Sequence, residues 1–377
     1  MRFVFAGLTF ATGMLGAFLS QSAIAQQRFP SSAGELAVET VASGLENPWG
    51  LAFLPDGRML VTERPGRLRI VETDGKLSRP ITGVPSVMAR GQGGLLDVTL
   101  DPAFARNRFV YFSFAEPRSG GNGTSVGRGK LNEQGTALTG VEVIFRQMPT
   151  ISSNMHFGSR LVFDRTGALF VTVGDRYSER DQAQNPANHL GKVIRIRPEG
   201  GAPADNPKKQ GWAPEIWSIG HRNVQGAALH PESGQLWTAE HGARGGDEVN
   251  TLKAGLNYGW PVITFGIDYS GAKIGEGTAK PGMEQPLFYW DPSIAPSGAA
   301  FYTGTAWPAW KNSLFVGALA GSMLVRLSTQ GEKVTGEERL LTNIGERIRA
   351  VVQGPDGFLY LLSDEDNGKV LRVRPAR

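Results

Sequence analysis

The sequence predicts an all-β protein, a six-bladed β-propeller, on three observations. Glycine and proline, 50 and 23 of the 377 residues, are spread between short apolar runs rather than massed in one block. After Ala25, no long window keeps the apolar spacing of an amphipathic helix. A pattern of apolar run, tight turn and second apolar run recurs along the chain, with corresponding points roughly 45 to 70 residues apart. Such periods are typical of propellers, because one small sheet cannot bury its faces without neighbours.

The first residues, 1–25, are predicted to be a secretory signal peptide. Arg2 precedes an apolar stretch, and a small-x-small pattern ends at Ala25, where cleavage is expected. Glycines and threonines make the stretch weakly apolar and short for a membrane span, so a cleavable signal is favoured over an anchor. We therefore expect a periplasmic or secreted protein that is not membrane-spanning after signal removal. Residues 26–377 would form a single propeller domain.

The mature chain begins with residues 26–36, which we expect to be a mobile lead-in. Six repeats follow, at residues 47–71, 93–117, 154–175, 223–242, 297–327 and 349–373. Three insertions rich in glycine, proline and polar residues are predicted to be loops, at residues 120–129, 199–209 and 267–283. A pair of packed sheets, the alternative all-β fold, would not account for six similar repeats.

Composition excludes some classes of protein. Cysteine is absent, so an exported chain has no disulfide framework and depends on its core and on any bound metal for stability. The formal net charge is +4, and the basic residues are scattered without a Lys/Arg run. Nucleic acid is therefore not expected as a partner.

The third repeat carries the first candidate catalytic residue. Its sequence, NMHFGSRLVFDRTGALFVTVGD, predicts two short strands around an Asp-Arg-Thr-Gly turn, so His156 would lie on the loop that enters the first strand. Histidine titrates near neutral pH and can accept a proton from a hydroxyl. The alternative is a turn histidine bonded to the backbone. We interpret three other histidines as structural turn residues of this kind: His189, His221 and His230.

A second candidate cluster precedes the fourth repeat. Arg222, Asn223 and Gln225 place a guanidinium and two amides just before a predicted strand. Such donors can bind a carbonyl or carboxylate through directional hydrogen bonds. The same side chains also stabilise turns, and spacing alone leaves both interpretations open.

Two acidic segments are candidates for calcium. Residues 240–250, EHGARGGDEVN, combine carboxylates with glycines that let backbone carbonyls turn inward, as hard calcium ions require. Residues 364–368, DEDNG, lack the later glutamate of an EF-hand and are interpreted as a solvated hairpin turn. Arg347 and Arg349 alternate around Ile348 and would share one face of a strand, which indicates a solvated edge more often than an anion site.

Together these segments resemble the family of soluble, PQQ-dependent glucose and aldose sugar dehydrogenases, the glucose/sorbosone dehydrogenase family. The similarity runs from Leu45 to Arg374. It rests on motifs in a fixed order: GQGGLLDVTLDP, MHFGSRLVFD, GHRNVQG, EHGARGGDEVN, NYGWP, IAPSG and ERIRAV. Each motif alone is weak evidence for the family, whereas the whole series in this order is specific to it. The resemblance implies a six-bladed propeller with pyrroloquinoline quinone (PQQ) on one rim.

The resemblance also implies roles for the polar residues. His156 matches the general base that takes the proton from the anomeric hydroxyl while a hydride passes to the quinone. Arg222 and Asn223 match residues that bond the quinone oxygens, where negative charge develops. Gln225 belongs to the same motif, and Gln92 matches a substrate-contacting glutamine.

Two calcium sites are implied by the same resemblance. Gly242 and Ala243 match the pair whose backbone carbonyls hold the calcium that also grips PQQ. That ion would act as a Lewis acid that polarises the quinone. Glu248 and the carbonyl of Tyr258 resemble a separate, structural calcium site.

The resemblance implies which residues pair with the PQQ carboxylates, and it also implies that one basic partner of PQQ is missing from this chain. Arg347 and Arg349 match arginines that face those carboxylates, so the predicted edge pair becomes an anion clamp. A lysine that pairs with PQQ in the glucose dehydrogenase branch is replaced near Ala320, which should weaken cofactor binding unless another basic residue compensates. The aspartate that precedes the base and contacts sugar in that branch is Met155 here, which suggests a different or broader sugar specificity.

The function implied is oxidation of aldose sugars to lactones with PQQ and calcium, followed by electron transfer to a separate acceptor. Two alternatives stay open. One is a calcium-dependent sugar lactonase, which would need none of the three arginines Arg222, Arg347 and Arg349. The other is a non-catalytic propeller that binds a partner, since this fold hosts many such roles. Either a monomer or a homodimer is compatible with the sequence.

Overall fold

The computed structural model describes residues 26–376, together with Met1 and Phe3, and it confirms the predicted six-bladed β-propeller. Six antiparallel sheets surround a central channel lined by their innermost strands. The predicted signal peptide lies outside the described residues apart from Met1 and Phe3. Within the described chain, no helix has the length and apolar character needed to cross a bilayer.

Strands β1 (Gln27–Phe29) and β2 (Leu36–Leu45) open the chain, and blades 1 to 3 follow in order. Blade 1 contains β3 (Pro48–Phe53), β4 (Met59–Glu63) and β5 (Arg67–Val71); blade 2 contains β6 (Leu95–Leu100), β7 (Phe109–Arg118), β8 (Gly121–Leu131) and β9 (Leu138–Arg146); blade 3 contains β10 (Leu161–Phe163), β11 (Leu169–Val173), β12 (Lys192–Ile196) and β13 (Ile216–Ile219). A short helix α1 (Phe104–Asn107) joins β6 to β7, and a 3₁₀ helix (Arg180–Gln184) joins β11 to β12.

Blades 4 to 6 complete the ring. Blade 4 contains β14 (Val224–Leu229), β15 (Leu236–Glu240), β16 (Asp247–Leu252) and β17 (Phe288–Trp290); blade 5 contains β18 (Pro296–Phe301), β19 (Leu314–Ala318), β20 (Met323–Gln330) and β21 (Lys333–Leu340); blade 6 contains β22 (Ile348–Gln353), β23 (Leu359–Ser363) and β24 (Gly368–Pro375). A second 3₁₀ helix (Pro308–Trp310) precedes β19. The sheet of blade 6 has the order β1-β2-β24-β23-β22, so the two ends of the described chain meet in one blade.

Hydrophobic clusters lie between the blades and hold the ring together. Each of the six largest clusters joins two neighbouring blades. Trp237 of blade 4 packs with Val316 of blade 5, and Leu362 of blade 6 packs with Val61 of blade 1, which closes the circle. Burial of one such side chain contributes about 1.5–3 kcal/mol. This repeated packing explains how a chain without cysteine stabilises a large ring.

The prediction of a mobile lead-in over residues 26–36 is wrong. β1 pairs with β2, and β2 pairs in turn with β24 along most of its length. Between them, the backbone N–H of Ser32 donates to Glu338 at 2.6 Å, and Leu36 is fully buried. The physical reason is that β24 would otherwise present an unpaired edge, and pairing the two ends of the chain covers it.

The predicted loop over residues 120–129 is also wrong, because β8 occupies this segment and pairs with β7 from Gly121 to Lys130. Because several of its residues are glycines, the sequence of this segment lacks the alternating apolar pattern that identifies a strand. The glycines are needed because a Cβ on Gly127 would lie 2.5 Å from the Phe112 ring on the neighbouring strand. The other two predicted loops, residues 199–209 and 267–283, contain no strand among their residues, all of which are described.

The innermost strands of five blades share a bulge where they begin. Their register shifts leave these residues outside regular pairing: Trp49, Asp97, Gln225, Ser297 and Arg349. A bulge re-aims a side chain that would otherwise follow the strict alternation of a strand. The bulges therefore gather side chains from distant blades at one rim of the propeller.

Candidate active site

Two neighbouring cavities open on the rim where the innermost strands begin. The inner cavity, of about 460 Å³, lies near the propeller axis and is lined by residues of five blades, among them Trp49, Gln92, Asn223, Gln225, Ala320 and Arg349. The outer cavity, of about 260 Å³, lies between blades 3 and 4 and includes His156, Asp175, Arg222, Ala243 and Trp260. Arg222 lines one cavity and Asn223 the other, so the two cavities share a wall.

His156 lies in a buried chain of hydrogen bonds. Its Nδ1 is 2.6 Å from Oδ1 of Asp175, and Oδ2 of Asp175 accepts the Nε1–H of Trp260 at 2.8 Å. Oδ1 also accepts the backbone N–H of Tyr177 at 2.8 Å. Because a carboxylate accepts hydrogen bonds and cannot donate them, Nδ1 carries the proton and Nε2 keeps its lone pair. Nε2 is therefore the ring nitrogen available to a bound hydroxyl.

Burial and charge set the protonation of this pair. Burial lowers the pKa of His156 below its usual value, against the opposing effect of Asp175 and with further lowering by Arg222 and Arg176. Burial alone would raise the pKa of Asp175, but the hydrogen bond and charge of His156, together with Arg222, hold it below its usual value. Near neutral pH the pair is a neutral imidazole beside a carboxylate, which is the state a general base requires.

The backbone around His156 is constrained, as the predicted loop position requires. His156 has φ of 51°, in the left-handed region that non-glycine residues seldom occupy. Its N–H donates to Oε1 of Gln92 at 2.7 Å. A Cβ on Gly174 would lie 2.2 Å from the carbonyl oxygen of His156, so only glycine allows the strand end to pass this closely. Gln92, predicted as a substrate contact, thus also fixes the loop that carries His156.

Arg347 and Arg349 both line the inner cavity, but not through the predicted alternation along one strand face, because Arg347 precedes β22 and Arg349 is its bulged residue. Arg349 is buried; its Nη1 donates to Oε1 of Gln225 at 2.7 Å and its Nη2 pairs with Oδ2 of Asp364 at 2.7 Å. Arg347 is about half exposed and lies 3.6 Å from the same carboxylate oxygen. The interpretation of residues 364–368 as a solvated turn is therefore wrong for Asp364, which faces inward because it compensates a buried guanidinium.

A third arginine, Arg64, also lines the inner cavity. It donates to the carbonyl oxygen of Gly91 and to the side chain of Asn47, both at 2.6 Å. Among the residues that the structure describes, the Nε atoms of Arg64 and Arg349 are buried without a hydrogen-bond partner. A buried, unpaired charged donor is costly, so these two Nε atoms favour a ligand that brings hydrogen-bond acceptors to a cavity that Asp364, Glu365 and Asp366 also line.

Arg160 ties the bulged residues together beside the inner cavity. Its Nη1 donates to Asp97 at 3.0 Å, and its Nε and Nη2 donate to the carbonyl oxygens of Gln225 and Arg349 at 2.6 and 3.0 Å. Its guanidinium carbon lies 4.1 Å from the centre of a Trp49 ring. One side chain of blade 3 therefore contacts blades 1, 2, 4 and 6 and fixes the relative positions of the cavity walls.

Gly242 and Ala243 lie on a compact loop between β15 and β16. A Cβ on Gly242 would lie 2.2 Å from the carbonyl oxygen of Gly245, which shows how tightly the loop folds. Asp247 anchors it, since Oδ1 accepts the N–H of Gly242 at 2.8 Å and Oδ2 accepts the N–H of Ile294 at 2.7 Å. The loop therefore brings backbone carbonyl and carboxylate oxygens close together, and calcium binds oxygens of both kinds.

Glu240 and Glu248 face each other across β15 and β16, and both line a small cavity that also includes Tyr258. Burial, with a further contribution from the Glu240 charge, raises the pKa of Glu248 to about 8. A buried carboxylate, Glu240, beside a partly buried one of like charge, Glu248, favours a cation between them. The described residues contain no group of three or more His, Asp or Glu side chains placed to hold a metal, so backbone carbonyls would have to supply other ligands.

Several polar residues of the site were not singled out by sequence reasoning. Asp175 and Trp260 orient His156, and Arg160 joins the cavity walls. Of these residues, only Asp175 could have been noticed in the sequence. It directly follows the glycine at the end of an apolar strand, where a charged residue is unusual. The three histidines interpreted as structural, His189, His221 and His230, do not line either cavity.

Comparison with known proteins identifies the family. The model of the glucose / sorbosone dehydrogenase family matches residues 45–372. The chain belongs to this family. A similar protein, the aldose sugar dehydrogenase YliI of Escherichia coli K12, is 48% identical over 344 residues, which are 90% of this chain and 92% of that protein. The predicted family membership, and with it an oxidoreductase, is confirmed.

Solved structures of the same family agree with the fold. The soluble aldose sugar dehydrogenase of Escherichia coli, in its apo-form, matches with a TM-score of 0.88 and 48% identity, over 90% of this chain and 100% of that one. The PQQ-bound form of aldose sugar dehydrogenase from Streptomyces coelicolor matches with a TM-score of 0.76 and 28% identity, over 90% of this chain and 98% of that one.

Proposed function

We propose that this dehydrogenase oxidises aldose sugars at the anomeric carbon to lactones, with PQQ as the electron acceptor and calcium as its companion ion. The observation that carries the proposal is the buried His156–Asp175 pair in a cavity that shares a wall with the arginine-lined inner cavity. A general base in the outer cavity suits a sugar, and the neighbouring inner cavity suits a flat, anionic quinone cofactor beside that sugar. The PQQ-bound Streptomyces relative supports the choice of cofactor.

The inner cavity fits the carboxylates of PQQ. Arg347 and Arg349 would bind them, and Gln225 holds the Arg349 guanidinium toward the cavity. Ala320 itself supplies no cation, but Arg347 donates to the carbonyl oxygen of the adjacent Leu319 at 3.3 Å, and Arg64, whose Nε lacks a partner within the described chain, is a further cation that lines this cavity. The arginines and their unsatisfied donors therefore fit the carboxylates of the group, whereas Asp364, Glu365 and Asp366 balance the charge of the same cavity.

The shared wall fits the quinone end of the cofactor. Arg222 and Asn223 would donate hydrogen bonds to the quinone oxygens, and Gly242 and Ala243 would supply carbonyl ligands to calcium. The Asn223 Oδ1 already accepts the N–H of Gly158 at 3.1 Å, which leaves its amide N–H groups to donate. When bound, PQQ supplies a two-electron acceptor and calcium supplies a Lewis acid beside it.

His156 would carry the proton step. The anomeric hydroxyl donates to Nε2, and its proton moves to Nε2 as the anomeric C–H bond breaks and the lactone C=O bond forms. The sugar thus loses one hydrogen as the proton on Nε2 and the other as a hydride, which carries both electrons of the C–H bond and which the PQQ held at the shared wall would accept. The imidazolium that results keeps its Nδ1–H on Asp175, whose negative charge stabilises it. Trp260 and the Tyr177 N–H hold the carboxylate in place during this change.

The direct test uses protein that begins at Gln26 and has been stripped with chelator. PQQ is added with and without calcium, and reduction of a dye is followed with a panel of aldoses. We expect sugar-dependent reduction only when both additions are present, with lactone detected by NMR. Lactone hydrolysis without PQQ binding would instead establish the lactonase, and inertness to both PQQ and sugar would refute the proposal.

Asp175→Asn tests the orientation of the base. We expect kcat to fall about 100-fold, because an amide can donate to Nδ1 and favours the wrong tautomer. Since burial lowers the pKa of His156, the acid limb of the wild-type kcat/KM profile should lie below pH 6.5. Asp175 raises that pKa, so its loss should move the residual limb to lower pH.

The measurement for Asp175→Asn is the pH profile of the reconstituted enzyme, with the exposed Asp74→Asn as the matched control. Unchanged kcat, or a limb that moves to higher pH, would remove Asp175 from the mechanism.

Calcium should also stabilise the fold through Glu240 and Glu248. We expect saturating calcium to raise the Tm of chelator-treated protein by about 3–5 °C, as for a ligand at about 100 times its Kd acting on a domain of this size. Only the ionised carboxylate binds the ion, so the increase should grow as pH rises through about 8, the pKa of Glu248.

Calorimetry on Glu248→Gln, compared with the exposed Glu142→Gln, checks this calcium site. A full calcium shift in Glu248→Gln would place the ion elsewhere. Magnesium, which demands tighter octahedral geometry, should give a smaller shift.

The compartment and partners follow from the same proposal. Export with cleavage after Ala25 would deliver the chain to the periplasm or the medium, where an aldose is the substrate and a separate carrier accepts the electrons. Mass spectrometry of the mature N-terminus tests the cleavage, and size-exclusion chromatography with light scattering separates monomer from homodimer.

A further inference from the structure

A fully buried lysine contacts the segment that borders the outer cavity. Lys192 begins β12, where it pairs with Val173 of β11 and with Ile219 of β13. Its side chain is among the largest that the described part of the protein buries completely, and burial lowers its pKa to about 7. A buried ammonium is costly unless it is paired or hydrogen-bonded, so the groups around it must compensate for the lost water.

Three backbone carbonyls surround this ammonium. Nζ of Lys192 donates to the carbonyl oxygens of Gln182 at 2.9 Å and Ala183 at 3.0 Å. It also donates to the carbonyl oxygen of Leu190 at 2.5 Å, so all three N–H groups are used. Two of these carbonyls belong to the end of the 3₁₀ helix Arg180–Gln184, where carbonyls lack partners within a helix. Lys192 therefore fixes the end of this helix against the start of β12.

The end of this helix in turn holds the tryptophan that orients the catalytic pair. The carbonyl oxygen of Ala183 also accepts the N–H of Gly220 at 3.0 Å, and the carbonyl oxygen of Gly220 accepts the N–H of Trp260 at 3.0 Å. The side-chain amide of Gln184 donates to the carbonyl oxygen of Trp260 at 2.7 Å. Ala183 also packs in one apolar cluster with Trp260. Two hydrogen-bonded connections therefore join the helix end to the backbone of Trp260.

We propose that Lys192 is a positioning residue for the proton step, because its buried ammonium gathers the three carbonyls and so holds Trp260 in line with Asp175. This inference rests on the proposed function. Lys192 lines neither cavity, so it acts through these residues and not by contact with sugar or PQQ. The Trp260 indole donates to Asp175 at 2.8 Å, and Asp175 accepts from His156 at 2.6 Å. A displacement of about 1 Å at the helix end would break this alignment, and misplacement of that size can lower a rate about 100-fold.

The kinetic test uses Lys192→Met in the reconstituted enzyme, since methionine has a similar length but no donor. We expect kcat to fall about 10- to 100-fold, while KM for the aldose changes less than about threefold. The matched control is Arg195→Met, which removes another buried cation of β12, one that pairs with Asp164 and Asp205. It should lower the Tm and retain kcat. Wild-type kcat in Lys192→Met, or an equal loss of kcat in both variants, would overturn the proposal.

A measurement on the apoprotein separates failure of this role from failure of the proposed function. Nitrogen-15 NMR of the His156 imidazole reports its tautomer and its pKa, and it needs neither PQQ nor turnover. In wild type and in Arg195→Met we expect the Nδ1-protonated tautomer with a pKa below 6.5. In Lys192→Met the share of that tautomer should fall and the pKa should fall further, because Asp175 raises the pKa and would be displaced.

The outcomes of this NMR experiment are distinct. An unchanged tautomer and pKa of His156 in folded Lys192→Met would overturn the positioning role. If that variant does not fold, Lys192→Gln decides in the same way, because its amide can still donate to two of the three carbonyls and should give a smaller change in the same direction. A tautomer change on loss of Lys192, in a protein whose wild type shows no sugar oxidation, would overturn only the proposed function.

Discussion

Replacement of His156 by alanine should reduce kcat by about 10²- to 10⁴-fold, the usual contribution of a positioned general base. The loss follows from the geometry, because Nδ1 is committed to Asp175 and Nε2 is the proton acceptor placed in the outer cavity. PQQ should stay bound with little change in Kd, since its expected contacts are the arginines of the inner cavity. Steady-state kinetics and a fluorescence titration with PQQ measure the two quantities separately.

Two further variants sharpen the His156 experiment. His156→Gln keeps much of the side-chain volume but cannot act as the base, so it should resemble His156→Ala in kcat. His189→Ala removes an imidazole that accepts the Met148 N–H outside both cavities, and it should keep most of the activity. Full sugar oxidation by either His156 variant would exclude this residue as the base.

The double variant Arg347→Ala/Arg349→Ala should raise the Kd for PQQ by about 100-fold or more. Each charge-assisted hydrogen bond contributes about 1.5–3 kcal/mol, and tenfold in Kd corresponds to about 1.4 kcal/mol. Arg349 should account for most of the change, because it is buried while Arg347 is about half exposed and more screened by solvent. Isothermal titration of the apoprotein with PQQ in calcium measures the effect without any need for turnover.

The carboxylate of Asp364 provides a second arm for this experiment. It pairs with Arg349 at 2.7 Å, so it competes with an incoming anion for the same guanidinium. Asp364→Asn should therefore keep or lower the Kd for PQQ, whereas Arg339→Ala, an exposed arginine on β21, should leave it unchanged. A PQQ titration of the double arginine variant identical to wild type would contradict the anion clamp.

Local patterns predicted most of the fold. The six repeats correspond to the six blades, and the turns at residues 164–167 and 230–234 are as predicted. These features depend on residues close in sequence, where apolar alternation and turn chemistry are sufficient. The two errors in the predicted strands have one cause. Residues 26–36 and 120–129 carry weak apolar patterns, and their strands are specified by the partners they pair with.

The candidate site was predicted only in part. His156, Arg222 and Arg349 were identified because each lies in a short motif, and the structure brings them to the two neighbouring cavities. The groups that orient them come from distant parts of the chain. Trp260 is 85 positions from Asp175, and Arg160 is 189 positions from Arg349. No local pattern can indicate such pairs.

The sequence by itself therefore determined a propeller of six blades, the family and the residues with chemistry to offer, because these are written in short periodic or ordered motifs. Only the tertiary structure decided which of those residues share a cavity. Pairing of β2 with β24 joins the two ends of the chain in blade 6, and the bulges and Arg160 fix how Gln225 and Arg349 meet at the rim. Hydrogen bonds act over about 3 Å, so the chemistry of the site exists only once ring closure has brought these distant residues together.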